Sequence, residues 1–212
     1  YVAGLTESID LPVTPGAVQA SNRGGADAFI AEFGTAGSNL LYATYVGGGG
    51  TDFGLNLALD NANNIYAVGV TNSLDFPTAG TLQPPSGTDR GLFKSTGGGS
   101  SWALSRTGLS SSSVNALAVA PTAPSVLFAG TNGGVAKSVD GGAHWAATGT
   151  LAAGNVQALA VDPTNSNIVF AGSPYGVFKT TNGGSSWNAV NNGLTLPAPS
   201  GAPPVRHQRA RR

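Results

Sequence analysis

The segment KSVDGGAHW, residues 137–145, brings together residue types that could do chemistry. It holds a hydroxyl, a carboxylate, two glycines and a tryptophan, which would suit a catalytic site, a ligand-binding loop or a tight turn. Two related segments, KSTGGGSSW at 94–102 and KTTNGGSSW at 179–187, repeat the pattern but change the carboxylate. The repeat therefore has to be understood before any chemistry is assigned to it.

The repeat predicts strands and turns. Residues 114–145 and 156–187 align without a gap at an offset of 42, and half of the 32 positions are identical. Each unit reads as four short strands separated by turn signals. Apolar runs such as IVFAG leave no polar face, which indicates a sheet that is covered on both sides. A period of about 40 to 45 residues with four strands per unit is typical of propeller blades.

A second pattern occupies the first ninety residues, where YVAGLTESIDLP at 1–12 returns as YAVGVTNSLDFP at 66–77. We therefore predict an all-β chain, a β-propeller of about four blades, each a four-stranded antiparallel sheet. End blades would expose apolar faces, so we expect part of a larger or incomplete ring, with neighbouring blades of the same chain missing. Alternatively, a late strand, GLTLP at 193–197, could join the first blade and close a compact ring.

Composition limits the classes of function. Only 9% of the residues are charged, against about 25% in an average protein. Four of the ten basic residues lie in the last eight positions, so the rest of the chain is mildly acidic and does not resemble a nucleic-acid-binding surface. The absence of cysteine excludes disulfides and thiolate metal sites. No apolar run approaches the roughly 20 residues of a membrane span, and we expect no cofactor and no metal.

Two family resemblances follow from these motifs. Residues 1–93 resemble the bacterial SBBP propeller repeat in DAFIAEF, LLYATYVGGGGTD, YAVGVTNSLDFP and GTLQ. Residues 94–194 resemble the Asp-box, or BNR, repeats of sialidases, sortilin-like receptors and some glycoside hydrolases. Their motif is a hydroxyl residue, any residue, Asp, any residue, Gly, any two residues and Trp. The matching residues are Ser95, Gly99 and Trp102, then Ser138, Asp140, Gly142 and Trp145, then Thr180, Asn182, Gly184 and Trp187.

The resemblances divide the chain into SBBP-type blades at 1–93, Asp-box blades at 94–195 and a Pro/Ala-rich basic tail at 196–212. We expect the tail to be disordered. A disordered linker or an artefact of gene assembly would explain its composition, and so would a basic anchor for acidic surfaces.

The chemistry of the Asp box suits a turn. A short Asp or Asn side chain accepts hydrogen bonds from backbone groups two residues on. Glycine supplies the positive φ angles that a hairpin needs, and tryptophan brings a large apolar surface. The resemblance implies that the box joins the outer strands of a blade, away from the central channel. We predict an architectural role for the box, with binding of a ligand or ion as the alternative.

Other motifs allow two interpretations each. GGGGTD at 47–52 looks like a phosphate-binding loop, but no GKS or GKT follows it, which favours a loop between blades. DNANN at 60–64 could bind calcium, yet its spacing misses the EF-hand pattern and favours an Asx turn. His144 has no second histidine nearby in the sequence, and His207 lies in the tail, so neither is assigned a catalytic role.

A hydrolase site would need groups that the sequence does not supply in a recognisable pattern. Sialidases grip a carboxylate with three arginines, but Arg23, Arg90 and Arg106 fall in loop-like settings. Related glycoside hydrolases use paired aspartates, whereas Asp10 and Asp75 occupy equivalent positions of a repeat.

We therefore assign no catalytic residue. The expected function is that of a non-catalytic binding or scaffold propeller of a secreted or cell-surface bacterial protein, with a glycan or a protein as its ligand. The alternative is a fragment of a sialidase-like or xyloglucanase-like glycoside hydrolase, whose catalytic residues lie outside this segment.

Overall fold

The computed structural model describes residues 1–61, 64–77, 89–96, 102–111, 113–151 and 154–194. These residues form fifteen β-strands, and none of them forms a helix long and apolar enough to cross a membrane. The strands are β1 (Val2–Thr6), β2 (Asp27–Phe33), β3 (Leu40–Val46), β4 (Asp52–Leu59), β5 (Ile65–Thr71), β6 (Asp89–Ser95), β7 (Trp102–Leu104), β8 (Val114–Val119), β9 (Leu127–Thr131), β10 (Gly134–Ser138), β11 (Ala146–Ala147), β12 (Ala158–Val161), β13 (Val169–Ser173), β14 (Gly176–Thr180) and β15 (Asn188–Ala189).

The strands form four antiparallel sheets in chain order. The first sheet contains β1, β2 and β3. The second, third and fourth sheets have four strands each, β4 to β7, β8 to β11 and β12 to β15, and within each sheet neighbouring strands follow one another in the chain. The predicted all-β propeller architecture of four-stranded antiparallel blades is confirmed, and the described sheets do not close into a ring.

The first sheet has three strands because its first strand corresponds to the second strand of the next sheet. In the first sheet Thr6 pairs with Asp27, and in the second sheet Thr71 pairs with Asp89 in the same register. The repeated segments at the start of the chain therefore hold equivalent positions in two successive sheets.

Apolar side chains between successive sheets build three separate cores. In β9, Leu127 and Ala129 belong to the core shared with the second sheet, whereas Phe128 belongs to the core shared with the fourth sheet. This strand is buried at every position, because the alternation of side chains along a strand sends neighbours to opposite faces and both faces are covered. A sheet covered on both sides is thus found in the third sheet, whereas the run IVFAG at 168–172, from which the sequence predicted one, lies in the fourth sheet.

The fourth sheet differs because its outer face is uncovered in the described part of the chain. Phe170 occupies the repeat position of Phe128, yet 37% of Phe170 is exposed and none of Phe128 is. Val169 and Ala171 on the opposite face of the same strand are fully buried. The repeat thus provides two chemically matched phenylalanines in different surroundings.

Replacing these two phenylalanines tests whether the outer face of the fourth sheet is uncovered. We expect Phe128→Ala to lower the free energy of unfolding by about 3–5 kcal/mol, because it leaves a cavity in a core. Phe170→Ala should cost about 1 kcal/mol or less, because the ring is already partly hydrated. Urea unfolding followed by tryptophan fluorescence measures both changes. Equal losses would contradict the uncovered face of the fourth sheet.

Candidate functional site

The hairpin that joins β10 to β11 is built from the segment Ser138 to Trp145. Ser138 Oγ accepts the backbone N–H of Gly142 at 2.9 Å and donates to Asp140 Oδ1 at 2.8 Å. Asp140 Oδ1 also accepts the backbone N–H of His144 at 2.9 Å. Gly141 and Gly142 have φ angles of 68° and 85°, which glycine adopts without strain. The carboxylate and the hydroxyl thus hold the turn from inside.

The hairpin that joins β14 to β15 repeats these hydrogen bonds one by one. Thr180 Oγ1 accepts the backbone N–H of Gly184 at 3.0 Å and donates to Asn182 Oδ1 at 2.8 Å. Asn182 Oδ1 accepts the backbone N–H of Ser186 at 2.9 Å. Asn replaces Asp here because the turn uses the oxygen acceptor that both side chains carry. Gly183 and Gly184 again have positive φ angles, of 65° and 96°.

Each of the two tryptophans reaches back to the preceding sheet. Trp145 Nε1 donates to Ser105 Oγ at 3.2 Å, and Trp187 Nε1 donates to Thr148 Oγ1 at 3.2 Å. Both hydroxyl residues follow the last strand of the sheet before. The tryptophans therefore close their own hairpins and also fix each sheet to the one that precedes it.

The degenerate segment of the second sheet is only partly described. Ser95 and Trp102 are buried and pair directly across β6 and β7. Gly99, and Gly97 in the acidic position, lie outside the described residues. Among the described residues no hydrogen-bond partner faces the buried Trp102 Nε1.

Sequence reasoning missed a contact of the repeated lysines. Lys94 lies over the ring of Tyr66 with 5.3 Å between Nζ and the ring centre, and Lys137 lies over Phe128 at 5.5 Å. Lys94 Nζ donates to the carbonyl of Gly141 at 2.9 Å, and Lys137 Nζ donates to the carbonyl of Gly183 at 3.1 Å. Each lysine thereby joins its own sheet to the glycine turn of the next sheet. We call this contact the lysine clasp.

The third lysine lacks the second half of the clasp. Lys179 lies over the ring of Phe170 at 5.2 Å, as its two counterparts lie over theirs. After the fourth sheet, the described part of the chain contains no further strand-joining hairpin of the kind formed by residues 138–145 and 180–187. One signal for the clasp was present in the sequence, because all three lysines of the chain share one repeat position. The acceptor could not be found from the sequence, because it is a backbone carbonyl and every residue carries one.

Hydrogen bonds set the electrostatics of Asp140. The backbone N–H and ring of His144, together with the hydroxyl of Ser138, hold the pKa of the Asp140 carboxyl well below its usual range. His144 Nδ1 lies 2.7 Å from Asp140 Oδ2 on the exposed side of the turn. A carboxylate with a lowered pKa stabilises the folded state above its unfolded pKa, and this contribution is lost as the pH falls through the folded value.

A groove of about 400 Å³ lies between the hairpins of the third and fourth sheets. Asp140 and His144 line it on one side, and Thr148 and Ser185 line it elsewhere. Both of these hydroxyls donate to backbone carbonyls, Thr148 to Val135 and Ser185 to Asn182. The groove thus presents the imidazole of His144 beside Asp140, and both of these lining hydroxyls are engaged with backbone carbonyls.

The glycine loop at 47–51 is held by side chains and does not form an anion cradle. Its backbone N–H groups point at five different side-chain oxygens instead of an open cavity. The acceptors for residues 47 to 51 in turn are Gln19 Oε1, Asp52 Oδ2, Asp75 Oδ1, Ser73 Oγ and Asn72 Oδ1. The loop lies between β3 and β4, where the sequence placed a connection between blades.

The other residues that the sequence suggested for metal binding or catalysis lie in turns or in loops next to different sheets. Asp60 accepts the backbone and side-chain N–H groups of Asn64, four residues on and not two as in an Asx turn. Arg23 and Arg106 are exposed in loops next to different sheets. Asp10 contacts Ser8 at an exposed position. The described residues contain no group of three or more side chains that could together hold a metal ion.

Removing one lysine at a time tests the clasp. We expect Lys137→Met to lower the free energy of unfolding by about 1–2 kcal/mol, because a charge-assisted hydrogen bond to Gly183 is lost. The matched control is Lys179→Met, which should stay within about 0.5 kcal/mol of wild type. Chemical denaturation measures both, and equal losses would show that the contact with the next sheet adds nothing.

The pH dependence of the hairpin follows from the lowered pKa of Asp140. Wild-type protein should lose thermal stability relative to Asp140→Asn as the pH falls below about 4, the pKa of an unfolded Asp. Asn182→Asp should acquire the same dependence in the fourth sheet, where the acceptor geometry is equivalent. Melting curves between pH 7 and pH 2 measure the difference. Parallel curves for all three proteins would contradict the assignment.

Comparisons with known proteins agree with the propeller architecture. The family model of the SBBP β-propeller repeat matches residues 41–77, which run from β3 through β5 to the turn after it. A comparison with curated protein sequences gave no match.

Three solved structures are similar to this chain at low identity. The GH74 xyloglucanase of Xanthomonas campestris has 22% identity and a TM-score of 0.50 over 74% of this chain and 24% of its own. The GH74 enzyme of Niastella koreensis has 24% identity and a TM-score of 0.47 over 65% of this chain and 22% of its own. A gluconolactonase of Xanthomonas campestris has 16% identity and a TM-score of 0.45 over 65% of this chain and 46% of its own. This chain spans less than half the length of each, and the likeness to the xyloglucanase, at 22% identity, concerns the fold alone.

Proposed function

We propose that this chain is a non-catalytic binding or scaffold module with β-propeller architecture. The observation that carries the proposal is that the polar side chains of the hairpin motifs already form hydrogen bonds within the protein. The hydroxyl, the acid or amide and the tryptophan of both fully described hairpins hydrogen-bond within the hairpin or to the preceding sheet. Side chains held in this way are suited to fixing sheets and not to turning over a substrate.

We further propose that the hairpins of the third and fourth sheets are Asp-box, or BNR, turns and that the repeats at 1–93 are of the SBBP type throughout. Two hairpins with the same four motif positions and the same hydrogen bonds support the first assignment. The two copies of the segment that ends in Asp-Leu-Pro or Asp-Phe-Pro support the second. Composition supports a secreted or cell-surface location, because charged residues are few and small polar residues are many.

Two surfaces could carry the binding role. The groove between the third and fourth hairpins could take a glycan, because it combines polar groups of Asp140 and His144 with a partly apolar lining. The outer face of the fourth sheet could take another blade, because Phe170 and Lys179 there repeat the arrangement that the third sheet buries. We propose a glycan or a protein as the ligand of the module, and a neighbouring blade as the cover of its outer face.

The competing function is a piece of a glycoside hydrolase with its catalytic residues elsewhere. One sample can separate the two, with a glycan array for capture and fluorogenic sialosides and xyloglucan for turnover. We expect capture without turnover. His144→Ala should weaken capture about tenfold, because the side chain lines the groove, whereas Ser186→Ala, at the equivalent position of the fourth sheet, should not.

Turnover that disappears when one carboxylate is neutralised would overturn the non-catalytic proposal. If capture survives His144→Ala, the glycan binds outside the groove. No signal in either assay would favour a protein ligand over a glycan, which a crosslinking experiment with candidate protein partners can detect.

A further inference from the structure

Two buried carboxylates, Asp27 and Asp52, meet where the first sheet joins the second. Asp27 is the first residue of β2 and Asp52 is the first residue of β4. A parallel bridge joins the preceding residues, Ala26 and Thr51, and Asp52 N donates to Ala26 O at 2.7 Å. Neighbours across such a bridge lie about 4.8 Å apart with side chains on the same side. The fold thus places two acids side by side, although 25 residues separate them in the chain.

Both carboxylates are buried with one oxygen held and one oxygen free. Asp27 is 0% exposed and Asp52 is 1% exposed. Asp27 Oδ2 accepts Gln19 Nε2 at 2.6 Å and a backbone N–H at 2.9 Å. Asp52 Oδ2 accepts Ser73 Oγ at 2.7 Å and a backbone N–H at 2.8 Å. The Oδ1 atoms of both residues are buried, and no donor among the described residues reaches them.

No described cation lies within ion-pair distance of these two carboxylates. The ion pair between described side chains is the exposed one of Asp140 and His144, and Arg23 meets Asp27 through its backbone while its side chain lies exposed. Buried like charges without a counter-ion are strongly unfavourable. One shared proton would remove one of the two charges, whereas a divalent cation would remove both.

Gly47 brings the glycine loop directly against the two carboxylates. A Cβ at residue 47 would stand 2.6 Å from Asp27 Oδ1 and 2.8 Å from Asp52 Oδ2, which is closer than real Cβ contacts allow. Gln19 Oε1 accepts the backbone N–H of Gly47 at 3.0 Å. The same glutamine therefore positions both the loop and Asp27, while Ser73 positions Asp52.

We infer that Asp27 and Asp52 bind a divalent cation, best matched by calcium, which ties the first sheet to the second. The free atoms are oxygens, the ligands that calcium prefers, and calcium tolerates irregular coordination. Since the described residues offer no third metal-binding side chain, backbone carbonyls and water would complete the coordination. Gln19 and Ser73 act as the outer partners that orient the two carboxylates.

Calcium titration of the intact chain after treatment with EDTA tests the site. We expect one calcium ion per chain by calorimetry and a rise in melting temperature of about 5–10 °C at a hundredfold excess over Kd. Asp27→Asn and Asp52→Asn should each abolish the rise. Glu7→Gln, which removes an exposed carboxylate, is the matched control and should keep it.

A variant that retains both carboxylates keeps the test decisive if an Asn variant does not fold. Ser73→Ala removes the hydroxyl that orients Asp52 and should weaken calcium binding about tenfold or more. The inference is wrong if wild-type protein shows no calcium-dependent rise, if both Asn variants retain it, or if Ser73→Ala binds as tightly as wild type.

Discussion

Sheets that are apolar on both faces cannot stand alone, and this constraint governs the rest of the structure. Each of the three cores lies between two successive sheets, so every sheet contributes one face to each neighbour. A strand such as β9 shows this directly, since Phe128 and Leu127 enter different cores. Stability is therefore shared between neighbours along the chain, as in other repeat proteins.

Polar contacts set the register of this stack, and they do so without exposed salt bridges. A tryptophan donates back to the sheet before it, and a lysine donates forward to the glycine turn of the sheet after it. Both contacts use groups of fixed geometry, because the turn is held by its own Ser or Thr hydroxyl and its Asp or Asn oxygen. These contacts between sheets need few charged residues, because backbone carbonyls and hydroxyl groups supply the acceptors.

The junction of the first two sheets is built differently. There a glycine loop is fixed by five side-chain oxygens, and two carboxylates are buried beside it. Ser73 and Asp75 take part, whereas their repeat counterparts Ser8 and Asp10 are exposed and contact each other. Equivalent residues thus have different roles because one copy meets a preceding glycine loop and the other does not.

The sequence by itself determined the all-β class, the four-unit repeat and the strand order within each sheet, because turn residues and apolar strands recur at a fixed offset. It also located the hairpin motifs, since short polar side chains, glycines and tryptophan are tied to local geometry. Only the tertiary structure decided which phenylalanine is covered, where each lysine donates and that Asp27 lies beside Asp52. These facts depend on contacts between sheets and on backbone carbonyls, and neither leaves a local pattern in the chain.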